Sequence, residues 1–112
     1  MKTIALWVSV VATIYHAVPG QTDDTPNITA TGFTINMDDP GSHNIIAVSR
    51  DLEKLGFVMG AKVCVENAGQ MNGVWVIEDR MNKRWTRRID FLVNTNLKGG
   101  KWNKTKISLI KE

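Results

Sequence analysis

The chain has 112 residues, which suits one small domain with a single core. Hydrophobic residues make up 43% and charged residues 22%, an ordinary globular balance that argues against wholesale disorder. The net charge of +3 tolerates an anionic polymer partner without requiring one, and the lone Cys64 excludes both an internal disulfide and a zinc site built from several cysteines.

In chain order, Met1-Lys2 followed by the apolar run Ile4 to Ile14 has the outline of a secretory leader. The run is too short to cross a bilayer as a helix. Tyr15, two positions before Ala17, makes a poor small-x-small cleavage site. Val8, Val10, Val11, Thr13, Ile14 and Tyr15 are good strand formers. Residues 1–7 are therefore expected to be an extension or partial leader, and residues 8–112 the folded domain. Its first strand is placed at about Trp7 to Ala17, with a signal peptide as the alternative.

Pro19 to Pro26 reads as a polar loop, Thr29 to Phe33 as a tight small-residue segment, and Asp38-Asp39-Pro40-Gly41 as a turn. Ile45 to Val48 is a short apolar strand. Ser49 is placed to cap a short helix, Arg50 to Leu55, that Gly56 stops. Lys62 to Glu66 alternates as a half-buried strand, in which Cys64 is expected to be a buried thiol rather than a nucleophile. Asn67 to Gly73 is a hairpin loop, Gly73 to Glu78 and Ile89 to Asn94 are strands, Gly99-Gly100 is a turn, and Lys104 to Lys111 is a final strand. Short strands at punctuated spacing with one short helix predict a mainly β fold, a small barrel.

The chemistry concentrates between Val76 and Phe91. Asp79 stands at the end of one apolar run and Asp90 at the entry to the next, and a basic loop carrying Trp85 joins them. An acid at the end of one strand and another entering the next can meet in one cleft, and two carboxylates are the minimum equipment for cutting a glycosidic bond. The plainer reading is a pair of surface acids neutralised by Arg80, Arg87 or Arg88, since structural ion pairs outnumber catalytic carboxylates. Asp90, between Ile89 and Phe91, is the acid that burial would keep protonated. Trp85 is a candidate sugar platform or a loop anchor. Thr31 and Ser49 are candidate hydrogen-bonding groups of the cleft. Lys83, Arg84, Arg87 and Arg88 either meet substrate carboxylates or form a solvated basic face. His16 and His43 have no metal-site spacing around them, so no metal or cofactor is expected. There is no Gly-x-Ser-x-Gly elbow. No aromatic platform accompanies the basic loop, so nucleic acid is not an expected partner. His16, on an apolar strand, is more simply a core or rim histidine.

An ordered set of segments resembles the 3D (three-aspartate) domain family, which is related to the rare-lipoprotein-A-like double-psi β-barrels. The segments are Ala12-Thr13-Ile14-Tyr15-His16, Gln21-Thr22-Asp23, Thr29-Ala30-Thr31-Gly32, Ile46 to Leu52, Gly60-Ala61-Lys62-Val63, and Asp79-Arg80-Met81-Asn82 through Arg88-Ile89-Asp90. The resemblance implies a six-stranded double-psi β-barrel with one or two short helices, and kinship with the catalytic domain of membrane-bound lytic transglycosylase A. It implies Asp90 as the leading catalytic acid and Asp79, eleven residues earlier, as a second site carboxylate. Thr31, Ser49, Arg80, Trp85 and Arg88 follow as candidate substrate contacts. It also implies peptidoglycan glycan strands as partner, a cell-envelope location (periplasmic or exported), no stable membrane span and a monomer. The family's third Asp follows an Ala-Val dipeptide, whereas here Ala47-Val48 is followed by Ser49. Some double-psi barrels bind glycans without cutting them, so a non-catalytic glycan-binding barrel is the alternative.

Overall fold

The computed structural model describes residues 3–18 and 27–111. Six strands close into a barrel: β1 (Thr3–Tyr15), β2 (Ile45–Val48), β3 (Lys62–Glu66), β4 (Gly73–Arg80), β5 (Arg88–Leu92) and β6 (Lys101–Lys111), in the spatial order β1-β5-β2-β4-β3-β6. One short helix, α1 (Arg50–Glu53), and 3₁₀ turns at Pro40–His43 and Gly69–Met71 interrupt the strands. Among the described residues no helix is long and apolar enough to cross a membrane, which says nothing of crossing by strands.

β1 runs parallel to β5, and β2 parallel to β4, while β2 and β5 are antiparallel. β5 lies between β1 and β2, so the connection from β1 to β2 must pass over the end of β5. β2 lies between β4 and β5, so the connection from β4 to β5 must pass over the end of β2. Two such strap-over-strand crossings make the barrel a double-psi one. Backbone bonds tie the second strap down: the Met81 N–H donates to the Val48 carbonyl at 2.9 Å, and the Ser49 N–H to the Arg88 carbonyl at 2.9 Å.

Alternation sorts the side chains. Val8, Val10 and Ala12 of β1, Ile46 and Val48 of β2, Val63 and Val65 of β3, Trp75 and Ile77 of β4, Ile89 and Phe91 of β5, and Ile107 of β6 fill the interior. Phe91 is the hub, with ring centroids 4.7 Å from Trp75 and 5.7 Å from Trp102. Gly100 lies under the Trp102 indole so closely that an added Cβ would sit 2.7 Å from it. A smaller cluster lies outside the wall: Tyr15, Ala17, Ile35, Ile45, Ala47, Met81 and Leu92, with Phe33, Val76 and Trp85 against it.

The expected β2 and β3 agree with the structure residue for residue. β1 departs at both ends. It begins at Thr3, inside the stretch expected to be an extension, and stops at Tyr15 rather than Ala17. It is a wall strand, hydrogen-bonded to β5 on one side and β6 on the other, so a leader ending after Ala17 would take part of the barrel with it. The helix after Ser49 is shorter than expected, ending at Glu53, and Gly56 follows with φ +103, a conformation glycine adopts without penalty. β6 begins three residues early, at Lys101. Cys64 is only half-buried, because its neighbours Val63 and Val65 take the inward positions of β3. The polar loop Pro19 to Pro26, with its Gln21-Thr22-Asp23 segment, lies outside the described residues.

Candidate functional site

The two aspartates meet on the outer face of the wall. Ala47 of β2 pairs with Asp90 of β5 on one side and with Asp79 of β4 on the other. Partners in register point to the same face, so both carboxylates leave the barrel on the side of Ala47. Two inter-strand steps put their Cα atoms on the order of 10 Å apart.

Asp79 reaches that face through a bulge. The β2–β4 register advances from Ile46↔Ile77 to Ala47↔Asp79, skipping Glu78. Strict alternation would send Asp79 inward with Trp75 and Ile77. The extra residue turns it outward, as bulges beside binding sites commonly do. The strap between β1 and β2 then covers it. The Ala30 N–H donates to Asp79 Oδ1 at 3.2 Å, as does the Arg80 N–H at 3.0 Å. Thr31 fastens the strap to the bulge, its N–H donating to the Glu78 carbonyl at 3.2 Å and its hydroxyl to Glu78 Oε1 at 3.0 Å.

Asp90 is enclosed differently. The Thr13 hydroxyl, its register partner on β1, donates to Asp90 Oδ1. The Arg88 guanidinium donates to the Thr13 hydroxyl at 3.4 Å and lies 4.2 Å from the centre of the Trp85 ring. Burial raises the Asp90 carboxyl above its ordinary range, outweighing the Thr13 donation and the Arg88 charge that pull it down. A carboxyl held this way keeps a transferable proton to higher pH than a solvated one.

Between the two acids stands Tyr15, buried at 8% exposure, with its hydroxyl 3.5 Å from Asp79 Oδ2. Burial, then the charges of Asp79 and Asp90, then the bond to Asp79 push its phenol far above its ordinary value. Neither Tyr15 nor Thr13 was expected as a site residue. Both had a complete explanation as strand formers, and the only signal was their even spacing on the face that Asp90 joins.

The remaining expected residues divide. Thr31 lies at the site but binds Glu78 and Thr29. Arg88 is beside Asp90, whereas Arg80 is committed to Glu53, with Nε–Oε2 at 3.1 Å and Nη2–Oε1 at 2.9 Å. Trp85 does not offer a free ring: Arg88 at 4.2 Å and Arg84 at 5.0 Å lie over it, and it packs on the outer cluster as an anchor. Ser49 is not in the cleft. It is fully buried, its hydroxyl accepts the Arg88 N–H at 3.0 Å, and it donates to Asp51. Its side chain makes no cap bond to α1. Lys83, Arg84 and Arg87 are exposed. His16 is a rim residue whose Nε2 donates to the Leu97 carbonyl at 2.7 Å.

No family model matches the chain, and no curated protein or solved structure matches it. The site therefore stands on its own geometry. Among the described residues no cluster of three or more His, Cys, Asp or Glu side chains is placed to hold a metal ion.

Proposed function

We propose that this barrel is a peptidoglycan-active domain of the lytic transglycosylase type, working in the cell envelope as a member of the 3D-like double-psi barrels. The observation that carries the reading is the partly buried Asp90, its carboxyl raised by burial, on the same outer face as Asp79. Asp90 donates its proton to the oxygen linking N-acetylmuramic acid to N-acetylglucosamine. The bond from that oxygen to the anomeric carbon breaks, leaving an oxocarbenium-like centre. The muramic 6-hydroxyl attacks that carbon and returns its proton to the Asp90 carboxylate, so a 1,6-anhydro sugar forms with no water consumed and the acid restored. Asp79, held by backbone donors, supplies negative charge to the developing cation. The exposed Lys83, Arg84 and Arg87 of the β4–β5 strap are suited to the carboxylates of peptide stems.

A second reading has its own support. Ser49 occupies the place of the family's third Asp and is sequestered under the strap, which suits a barrel that binds glycan strands without cutting them. Incubation of the purified protein with sacculi separates the two. Mass spectrometry finding 1,6-anhydro-muropeptides supports cleavage. Co-sedimentation with sacculi and no release supports the binder, and failure of both removes peptidoglycan as the partner.

A further inference from the structure

The function above uses two carboxylates and leaves Tyr15 unexplained. A tyrosine at this place on β1 has no packing need for a hydroxyl, since its neighbours in the outer cluster are Ala17, Ile35, Ile45, Ala47, Met81 and Leu92. Its side chain nevertheless crosses the wall from β1 to meet Asp79 on β4, although β5 and β2 lie between those strands. The β2 residue in register with both acids is Ala47, whose methyl group leaves room for that crossing. We propose that Tyr15 is a positioning residue for the carboxylate pair: its O–H holds Asp79 as an ionised acceptor and leaves Asp90 as the member that carries the proton.

Among the described residues the charges facing Tyr15 are few. β4 contributes Asp79, β5 contributes Asp90 with Arg88 beyond Thr13, and β2 contributes only Ala47. The strap segment 27–36 carries no charged side chain. The β4–β5 strap packs Met81 and Trp85 on the same cluster, with Arg84 on the indole. The phenol is pushed far above its ordinary value by burial and by both acids, so it stays a donor wherever the protein is folded. A donor that never ionises stabilises the charged form of the acid it touches. Two acids on one face with different partners titrate apart, which is how one becomes a proton donor and the other a charge stabiliser.

This inference deepens the transglycosylase reading, but its first test needs no activity. In Tyr15→Phe the aromatic body remains and the donor is lost. The ¹³Cγ titration of Asp79 should move upward by roughly half to one pH unit, the equivalent of one net hydrogen bond. In the wild type, the ¹³Cζ of Tyr15 should titrate with the same midpoint as Asp79, a measurement that stands even where the variant does not fold. An unmoved Asp79 midpoint in a folded variant, or a Tyr15 signal that ignores Asp79, overturns the proposal. If wild type releases anhydro product, the acid limb of its pH–rate profile should shift upward in Tyr15→Phe with KM unchanged, which a purely structural role would not produce. If wild type releases nothing, the transglycosylase reading fails, and the carbon titrations still decide the role of Tyr15.

Discussion

The two sides of this barrel wall have the same construction and opposite surroundings. Where β1 pairs with β6, the outward Trp7, 40% exposed, and Ser9 stand in solvent, as does Leu6, 66% exposed, at the register irregularity between Ile4 and Trp7. Where β5, β2 and β4 run together, the outward side chains Leu92, Ile45 and Ala47 are as covered as the interior ones. The difference lies in the connections. A strap forced to cross a strand end folds back over the wall, so Phe33 and Ile35 of the first strap and Met81 and Trp85 of the second roof that side. A roofed wall gives an acid a place that is partly dry yet outside the packed core. Among the described residues the bare wall has no counterpart to it.

The comparison is tested most severely at Asp90. Asp90→Asn keeps the shape and removes the proton, so release of anhydro-muropeptides should fall by ~10²–10⁴-fold. Co-sedimentation with sacculi should persist. Undiminished release would mean that the roofed wall houses no general acid.

The next residue faces the other way. Phe91→Ala removes the ring that Trp75 and Trp102 pack against and should cost about 3–5 kcal/mol in urea unfolding. Adjacent substitutions on opposite faces should therefore separate, one taking activity and the other stability. A small loss for Phe91→Ala would place the weight of the fold elsewhere.

Smaller effects come from the pH dependence of stability. The folded Asp90 holds its proton more tightly than the unfolded chain does. Its contribution is full below the ordinary carboxyl range and is lost as pH rises through the raised folded value. Asp51 has the opposite sign. Partial burial pushes it up, but donations from the Ser49 hydroxyl and the Arg87 N–H carry it lower. Its contribution is present above the ordinary range and is lost as pH falls through the depressed value. Urea midpoints across the acid range should show both slopes, with Asp90→Asn deleting only the upper one. An upper slope that survives Asp90→Asn would assign it to another group.

The smallest effect belongs to the bare wall. Leu6→Thr should change stability by no more than about 0.5 kcal/mol, because the side chain is already in water. A larger loss in dilute solution would reveal a covering on that wall.

Much of the wall was legible because alternation is a local signal. Lys62 to Glu66 carries its own period, Ile45 to Val48 is an apolar run with clear boundaries, and the structure adopts both unchanged. The acids at 79 and 90 were legible as a pair because one ends an apolar run and the other enters the next. What the sequence hid depends on contacts between distant segments. Ser49 has the residue type of a helix cap, and nothing nearby announces that Arg88, 39 positions on, will claim its hydroxyl. Trp85 reads equally as a platform or an anchor until the strap folds Arg84 and Arg88 onto it. Tyr15 meets Asp79 from 64 residues away, across two intervening strands.

The bulge at Glu78 makes the outward acid a matter of parity. Between Ile77, which faces in, and Asp79, which faces out, stands one residue that has no partner on β2. With Glu78 present, an unbulged register would set Glu78 opposite Ala47 and turn Asp79 inward. Deleting Glu78 would remove the bulge and keep the facing, since Asp79 would then follow Ile77 directly and still stand opposite Ala47. What the deletion would take away is the carboxylate to which the Thr31 hydroxyl fastens the first strap. A one-residue deletion at this position should therefore spare the register of β4 and loosen the roof above it.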